Sequence, residues 1–221
     1  MPWKEIKIMY DDIKDYWREL TLVMQMMPFS ALEHAAELLL DCHRRGSTVF
    51  ILGNGGSAST ASHFACDLAK GTQVPGLPAF RVIALNDNIP LLTAWANDTS
   101  YDRVFAEQLA TLVRPGDLVI AISASGNSPN VLAAVRMARQ SQATTIALAG
   151  RSGGKLYRLA DITIRVPAQS IEQVEDAHLV VAHSLCVVLR RRLYTRAALQ
   201  EVEHSVLNGR IVGPAVADLK P

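Results

Sequence analysis

The chain has 221 residues, 49% hydrophobic and 19% charged, with a formal net charge of +1. This is enough chain for one domain of ordinary size with a substantial core. It excludes a disordered polyelectrolyte and offers no global charge to attract nucleic acid or an anionic membrane. The three cysteines, Cys42, Cys66 and Cys186, are too widely spaced for a disulfide framework or a zinc knuckle. The first residues lack an apolar signal core, and no uncharged apolar run approaches the ~20 residues of a membrane span, so a reducing, cytoplasmic setting is expected.

The chain opens with apolar residues at Ile6, Met9, Tyr10, Ile13, Trp17, Leu20, Met24 and Met27, one face of an amphipathic helix that Pro28 ends. Ser30 with Glu33 predicts a capping box for a second helix. That helix runs through Leu32, Ala36, Leu39, Leu40 and His43, and Arg44-Arg45-Gly46 supplies the cations and glycine of a helix end. From Thr48 five short apolar runs alternate with helical segments: Thr48–Leu52, Arg81–Asn86, Asp117–Ser123, Thr144–Ala149 and Ile162–Val166. Runs apolar almost throughout are strands covered on both faces, and the alternation predicts an α/β fold with a five-stranded, parallel, doubly wound sheet. After Pro167, Ser170 and Gln173 predict another capping box and a helix of roughly six turns reaching Leu193. Its segments Leu179–Ala182 and Leu185–Leu189 are apolar nearly all round, the pattern of a helix buried in its own chain or against another subunit. The expected organisation is N-terminal helices over 1–46, the main domain over 47–193 and a C-terminal extension over 194–221, with the tail from Pro214 mobile.

Two turns carry the chemistry. Gly53-Asn54-Gly55-Gly56-Ser57-Ala58-Ser59 follows the first strand, and Ser123-Ala124-Ser125-Gly126-Asn127-Ser128-Pro129 follows the third. Glycines let the backbone approach a ligand, serines add donors, and each turn opens a helix whose free N–H groups favour an anion. Ser128 suits the N-cap and Pro129 the first helical position. Both turns lie at strand carboxyl ends, where open α/β sheets bind ligands. Together they point to phosphate. The first is not a Walker loop, since no Lys-Ser/Thr follows its glycines, and it lacks the third glycine of a dinucleotide fingerprint. A second constellation pairs His63 with Asp67, four apart on the helix after the first turn. Glu175 and His183, eight apart on the late helix, can also share a face. Such pairs are raw material for a divalent metal site, for acid–base catalysis, or for ordinary surface pairing.

The combination GNGGSAS…HFACDLAKGT, ISASGNS and VEDAHLVVAHSL resembles bacterial phosphoheptose isomerases of the sugar-isomerase (SIS) superfamily, over nearly the whole chain to about Leu193. The resemblance implies a single SIS domain with an N-terminal helical hairpin and a long C-terminal helix. It also implies an enzyme that interconverts sedoheptulose 7-phosphate and glycero-manno-heptose 7-phosphate. The serines that hold phosphate would be Ser57, Ser123, Ser125 and Ser128, with Gly55, Gly56 and Ala124 in the same turns. Asn54, Asp98 and Glu175 would line the sugar pocket. Asp67 falls at the catalytic carboxylate and His183 at the catalytic histidine. The metal ligands, zinc in members that bind it, fall at His63, Asp67, Glu175 and His183. The resemblance further implies a homotetramer with sites shared between subunits. Three positions depart from the pattern: a Glu-Glu pair reads Cys66-Asp67, a glutamine ligand reads Glu175, and a substrate-holding arginine falls at Gly71. Some relatives lack the catalytic carboxylate and bind a phosphosugar or a protein partner without turnover. Asp67 and His183 together weigh against that reading, while Gly71 leaves room for a different phosphosugar.

Overall fold

The computed structural model describes residues 2–207, with side chains described for 11–202. The calls on Ile6, Met9 and Tyr10 as core-facing side chains, and on the tail from Pro214, lie outside the described parts. Helices α1 (Pro2–Gln25) and α2 (Phe29–Arg45) form a hairpin. The central elements follow as β1 (Thr48–Gly53), α3 (Gly56–Cys66), β2 (Arg81–Ala84), α4 (Ile89–Asp98), α5 (Val104–Leu112), β3 (Leu118–Ser123), α6 (Pro129–Gln140), β4 (Thr144–Ala149), α7 (Leu156–Leu159) and β5 (Ile162–Arg165), before α8 (Ile171–Leu207). The sheet is parallel throughout, in the order β2-β1-β3-β4-β5.

Strand residues alternate between two cores. Val49 and Ile51 of β1 and Leu118, Ile120 and Ile122 of β3 face α1, α2, α3 and α8. Phe50, Leu52, Val119 and Ala121 face α4, α5, α6 and α7. The apolar runs predicted from the sequence are thus strands buried on both sides, each large side chain contributing roughly 1.5–3 kcal/mol. All strands run the same way, but the order in which they are laid down reverses between β1 and β3. Their carboxyl ends, in register at Gly53 and Ile122, open the crevice where such sheets bind ligands.

Several local expectations are corrected. The Ser30–Glu33 capping box does not form: Pro28 occupies the N-cap, so Ser30 already lies inside the first turn. At the start of α8, the Gln173 amide N–H reaches Ser170 Oγ at 3.4 Å, but the Gln173 side chain donates to Glu19 on α1 instead of closing the box. β2 stops at Ala84 because Asn86 turns its side-chain amide onto the Gly53 carbonyl. α8 continues past Leu193 to Leu207. Its apolar stretch is buried on one side only within this chain. Val181, Ala182, Leu185, Cys186 and Leu189 form a buried stripe, while Val180 and Val188 are exposed.

Candidate active site

The first turn is built around close approach. Gly55 has φ +54°, the left-handed region that favours glycine. A side chain at Gly53 would strike Ser57 and the Ile122 carbonyl, so the turn after β1 lies directly on β3. Gly56 leaves room for Glu175, whose carboxylate oxygens lie 2.5 and 2.6 Å from where a Cβ at Gly56 would sit. Glu175 therefore rests on the N-terminus of α3, where the helix dipole favours a negative charge. Ser57 is buried beside it.

The second turn gathers hydroxyls. Ser123 Oγ lies 3.1 Å from Ser128 Oγ and 3.4 Å from Ser125 Oγ, and Ser125 Oγ accepts from the Asn127 amide. Ser128 occupies the N-cap of α6 with Pro129 at the first position, as expected. Its hydroxyl makes no capping bond and faces Ser123 instead. The Ala124 carbonyl accepts from Gly150, tying this turn to the end of β4. Three hydroxyls beside a helix N-terminus suit the oxygens of a phosphate.

Asn130, which sequence reasoning passed over, joins the two turns. Asn54 and Asn130 exchange amide hydrogen bonds of 2.9 Å in both directions. The Val131 amide donates to Asn130 Oδ1, and the Tyr101 hydroxyl donates to Asn54 Oδ1. Asn130 is 1% exposed. The available signal was an amide side chain directly after Ser128-Pro129, at the opening of a helix beside the crevice. Asn130→Ala leaves the Asn54 amide without its partner. It should cost about 2 kcal/mol in a urea melt, as for a buried hydrogen-bonding group stripped of its mate; an unchanged midpoint would deny the coupling. Asp98 ends α4 at the surface, and its hydrogen bond is from Asn97.

The titratable centre lies where α3 meets α8. α3 passes into a π-helical turn over Asp67–Gly71, an irregularity that recurs at functional sites. His63 Nε2 and His183 Nε2 are 2.8 Å apart. Asp67 Oδ2 lies 3.3 Å from the first and 3.6 Å from the second. Among the described residues these three offer atoms within 4.8 Å of one another and so fit one divalent ion. Two imidazole nitrogens aimed at one point with a carboxylate oxygen form a donor set suited to zinc. Glu175 is not in that group; its carboxylate is at Gly56. Side-chain exposures of 32–49% leave all three open to an incoming molecule.

A hollow of about 170 Å³ adjoins this cluster, lined by Asp67, Gly71, His183, Cys186, Val187 and Arg190. Burial, and then the Asp67 carboxylate, push the Cys186 thiol up to about 12, so it stays protonated at neutral pH. Cys66 faces a different and larger hollow, about 660 Å³, along β2 with Ser62 and Asp87. None of the three converging groups lines the larger space, whereas Asp67 and His183 line the smaller one. His178, on α8, is buried at 1% exposure.

The chain matches the SIS-domain family over residues 14–150. It is 41% identical over 161 residues to the phosphoheptose isomerase of Trichlorobacter lovleyi, covering 72% of this chain and 81% of that one. The structure of phosphoheptose isomerase GmhA from Neisseria gonorrhoeae superposes with a TM-score of 0.76 at 31% identity, covering 82% of this chain and 98% of the other. A phosphoheptose isomerase from Francisella tularensis gives 0.77, also at 31% identity and covering 82% and 98%. Both structures and the curated relative are matched over most of their own length. The chain therefore belongs to the phosphoheptose isomerase family of SIS-domain proteins.

Proposed function

We propose that this sugar-phosphate isomerase interconverts sedoheptulose 7-phosphate and glycero-manno-heptose 7-phosphate through an enediol. The observation that carries the reading is the convergence of Asp67, His63 and His183 beside a hollow, in a chain whose β3–α6 turn gathers three serine hydroxyls at a helix N-terminus. Ser123, Ser125 and Ser128, with Ser57, would hold the phosphate; Asn54 would line the sugar between the two turns. Both contacts of Asp67 use Oδ2, so Oδ1 is assigned as the proton acceptor. With the ketose bound, Asp67 takes a proton from C1. The released pair forms the C1–C2 double bond, and the C2 oxygen takes a proton from His183. In the return half, His183 recovers the proton of O1 and Asp67 delivers its proton to C2, leaving the carbonyl at C1.

His63, Asp67 and His183 would hold a divalent ion, zinc by donor type. When bound, it would replace the proton on His183 Nε2 and supply Lewis-acid polarisation of a substrate oxygen in that proton's stead. Sharing of the site between subunits of a homotetramer is supported by the exposed cluster and by exposed Val180 and Val188 on α8. A cytoplasmic location is supported by three free cysteines; no described helix is long and apolar enough to cross a membrane.

The test is incubation of metal-reconstituted protein with sedoheptulose 7-phosphate in deuterium oxide, followed by proton NMR. Aldose signals, with deuterium at the carbon beside the carbonyl, are expected. A sugar that binds but neither isomerises nor exchanges would favour a sensor, and one that does not bind would redirect the substrate assignment.

A further inference from the structure

Arg190 lies seven residues beyond His183 on α8, about two helical turns, and so on the same face. It lines the same hollow as Asp67 and His183. Its Nη1 donates to the Gly71 carbonyl at 3.3 Å, a long bond to a neutral acceptor. Among the described residues no carboxylate lies within ion-pair distance of it, so most of its five N–H donors remain for a ligand. Gly71 leaves the way open: a Cβ there would touch only Asp67 Cβ, at 3.9 Å. One wall of the hollow is thus a guanidinium facing a carboxylate and an imidazole across a space of roughly five waters' volume. That is room for the two oxygens and two carbons at the carbonyl end of an open-chain sugar.

We propose that Arg190 is a further substrate-binding residue of this site: its planar fork grips the two oxygens on C1 and C2 and bears the negative charge that develops on the enediolate. The fork geometry suits two adjacent oxygens, and a fixed cation aimed at developing charge stabilises a transition state more than a ground state. The inference rests on the isomerase reading above. The plainer role for Arg190 is to satisfy a free carbonyl at the end of the π-helical turn.

The experiment compares wild type, Arg190→Lys and Arg190→Ala, all metal-reconstituted, in the isomerase assay. Calorimetry then measures two ligands, a phosphorylated aldonohydroxamate, which mimics the planar enediolate, and the matching alditol phosphate, which lacks that charge. Arg190→Ala should lose about 100-fold in kcat and in hydroxamate affinity, with less than a twofold change for the alditol phosphate. Added guanidinium should restore part of the rate, and Arg190→Lys should fall between. A carbonyl-capping role would instead lower the melting temperature and leave the two ligands' ratio unchanged. Active wild type with both variants within twofold of it, or equal losses for both ligands, would overturn the role of Arg190 alone. An inert wild type would overturn the isomerase reading and this inference with it.

Discussion

Asp67→Asn should lower turnover by about 10³-fold while leaving the far-ultraviolet spectrum and melting temperature unchanged. Positioned proton transfer contributes about 10²–10⁴-fold to rate, and this substitution removes the acceptor while keeping the volume and one oxygen. Asp67 is about one-third exposed and its polar contacts are to the two histidines, so no core contact is lost. The readout is steady-state kcat with sedoheptulose 7-phosphate, alongside deuterium wash-in at the carbon next to the carbonyl. Because the amide oxygen can still approach His63 and His183, zinc content measured by mass spectrometry should fall less than the rate does. Activity above a tenth of wild type would assign the proton transfer to another group.

Acid should destabilise the fold through His178, and His178→Leu should blunt that effect. The ring is 1% exposed, and neither nitrogen has a hydrogen-bond partner of proper geometry among the described residues. Burial pushes it down from 6.5 to about 4, with the Ala149 backbone a weak opposing influence. The folded state thus resists protonation that the unfolded chain accepts. Above pH 6.5 both states are neutral and the stability is fully present. Between pH 6.5 and about 4 the unfolded chain alone takes up the proton, and stability falls by about 3 kcal/mol from this group. Urea melts at pH 7 and pH 4 should show that difference shrinking in His178→Leu, whose side chain has similar bulk and nothing to titrate. Parallel losses in both proteins would place the acid sensitivity elsewhere.

The sheet was legible because its strands are apolar without alternation, and because glycine and serine punctuate the same strand ends that carry the site. Register and helix termini were less so. Ser30, Ser128 and Gln173 all have cap-forming chemistry, yet tertiary neighbours claim them: Pro28 takes the N-cap, Ser123 the Ser128 hydroxyl, and Glu19 the Gln173 amide. Spacing alone put His63 and Asp67 on one face, and the fold adds His183 from a helix 120 residues away. The same periodicity allowed Glu175 to share a face with His183, but its carboxylate lies against Gly56 and outside the cluster. No linear pattern singles out Arg190, because nothing in the sequence reveals that the space beside Gly71 is open. Asn130 was hidden for a similar reason, since its partner lies 76 residues away.

The paired amides across the two turns bear on how such a chain can diversify. Replacing either asparagine by aspartate sets a carboxylate against a carbonyl oxygen, so an acceptable change at one position demands a matching change at the other. The two turns that Asn54 and Asn130 join are therefore inherited as a block. Around Gly71 the constraint is absent: there is open space beside the backbone, an exposed guanidinium opposite, and no partner that must mutate in step. Single substitutions there can be tried one at a time. Descendants of this chain can vary the wall around Gly71 more readily than the paired turns.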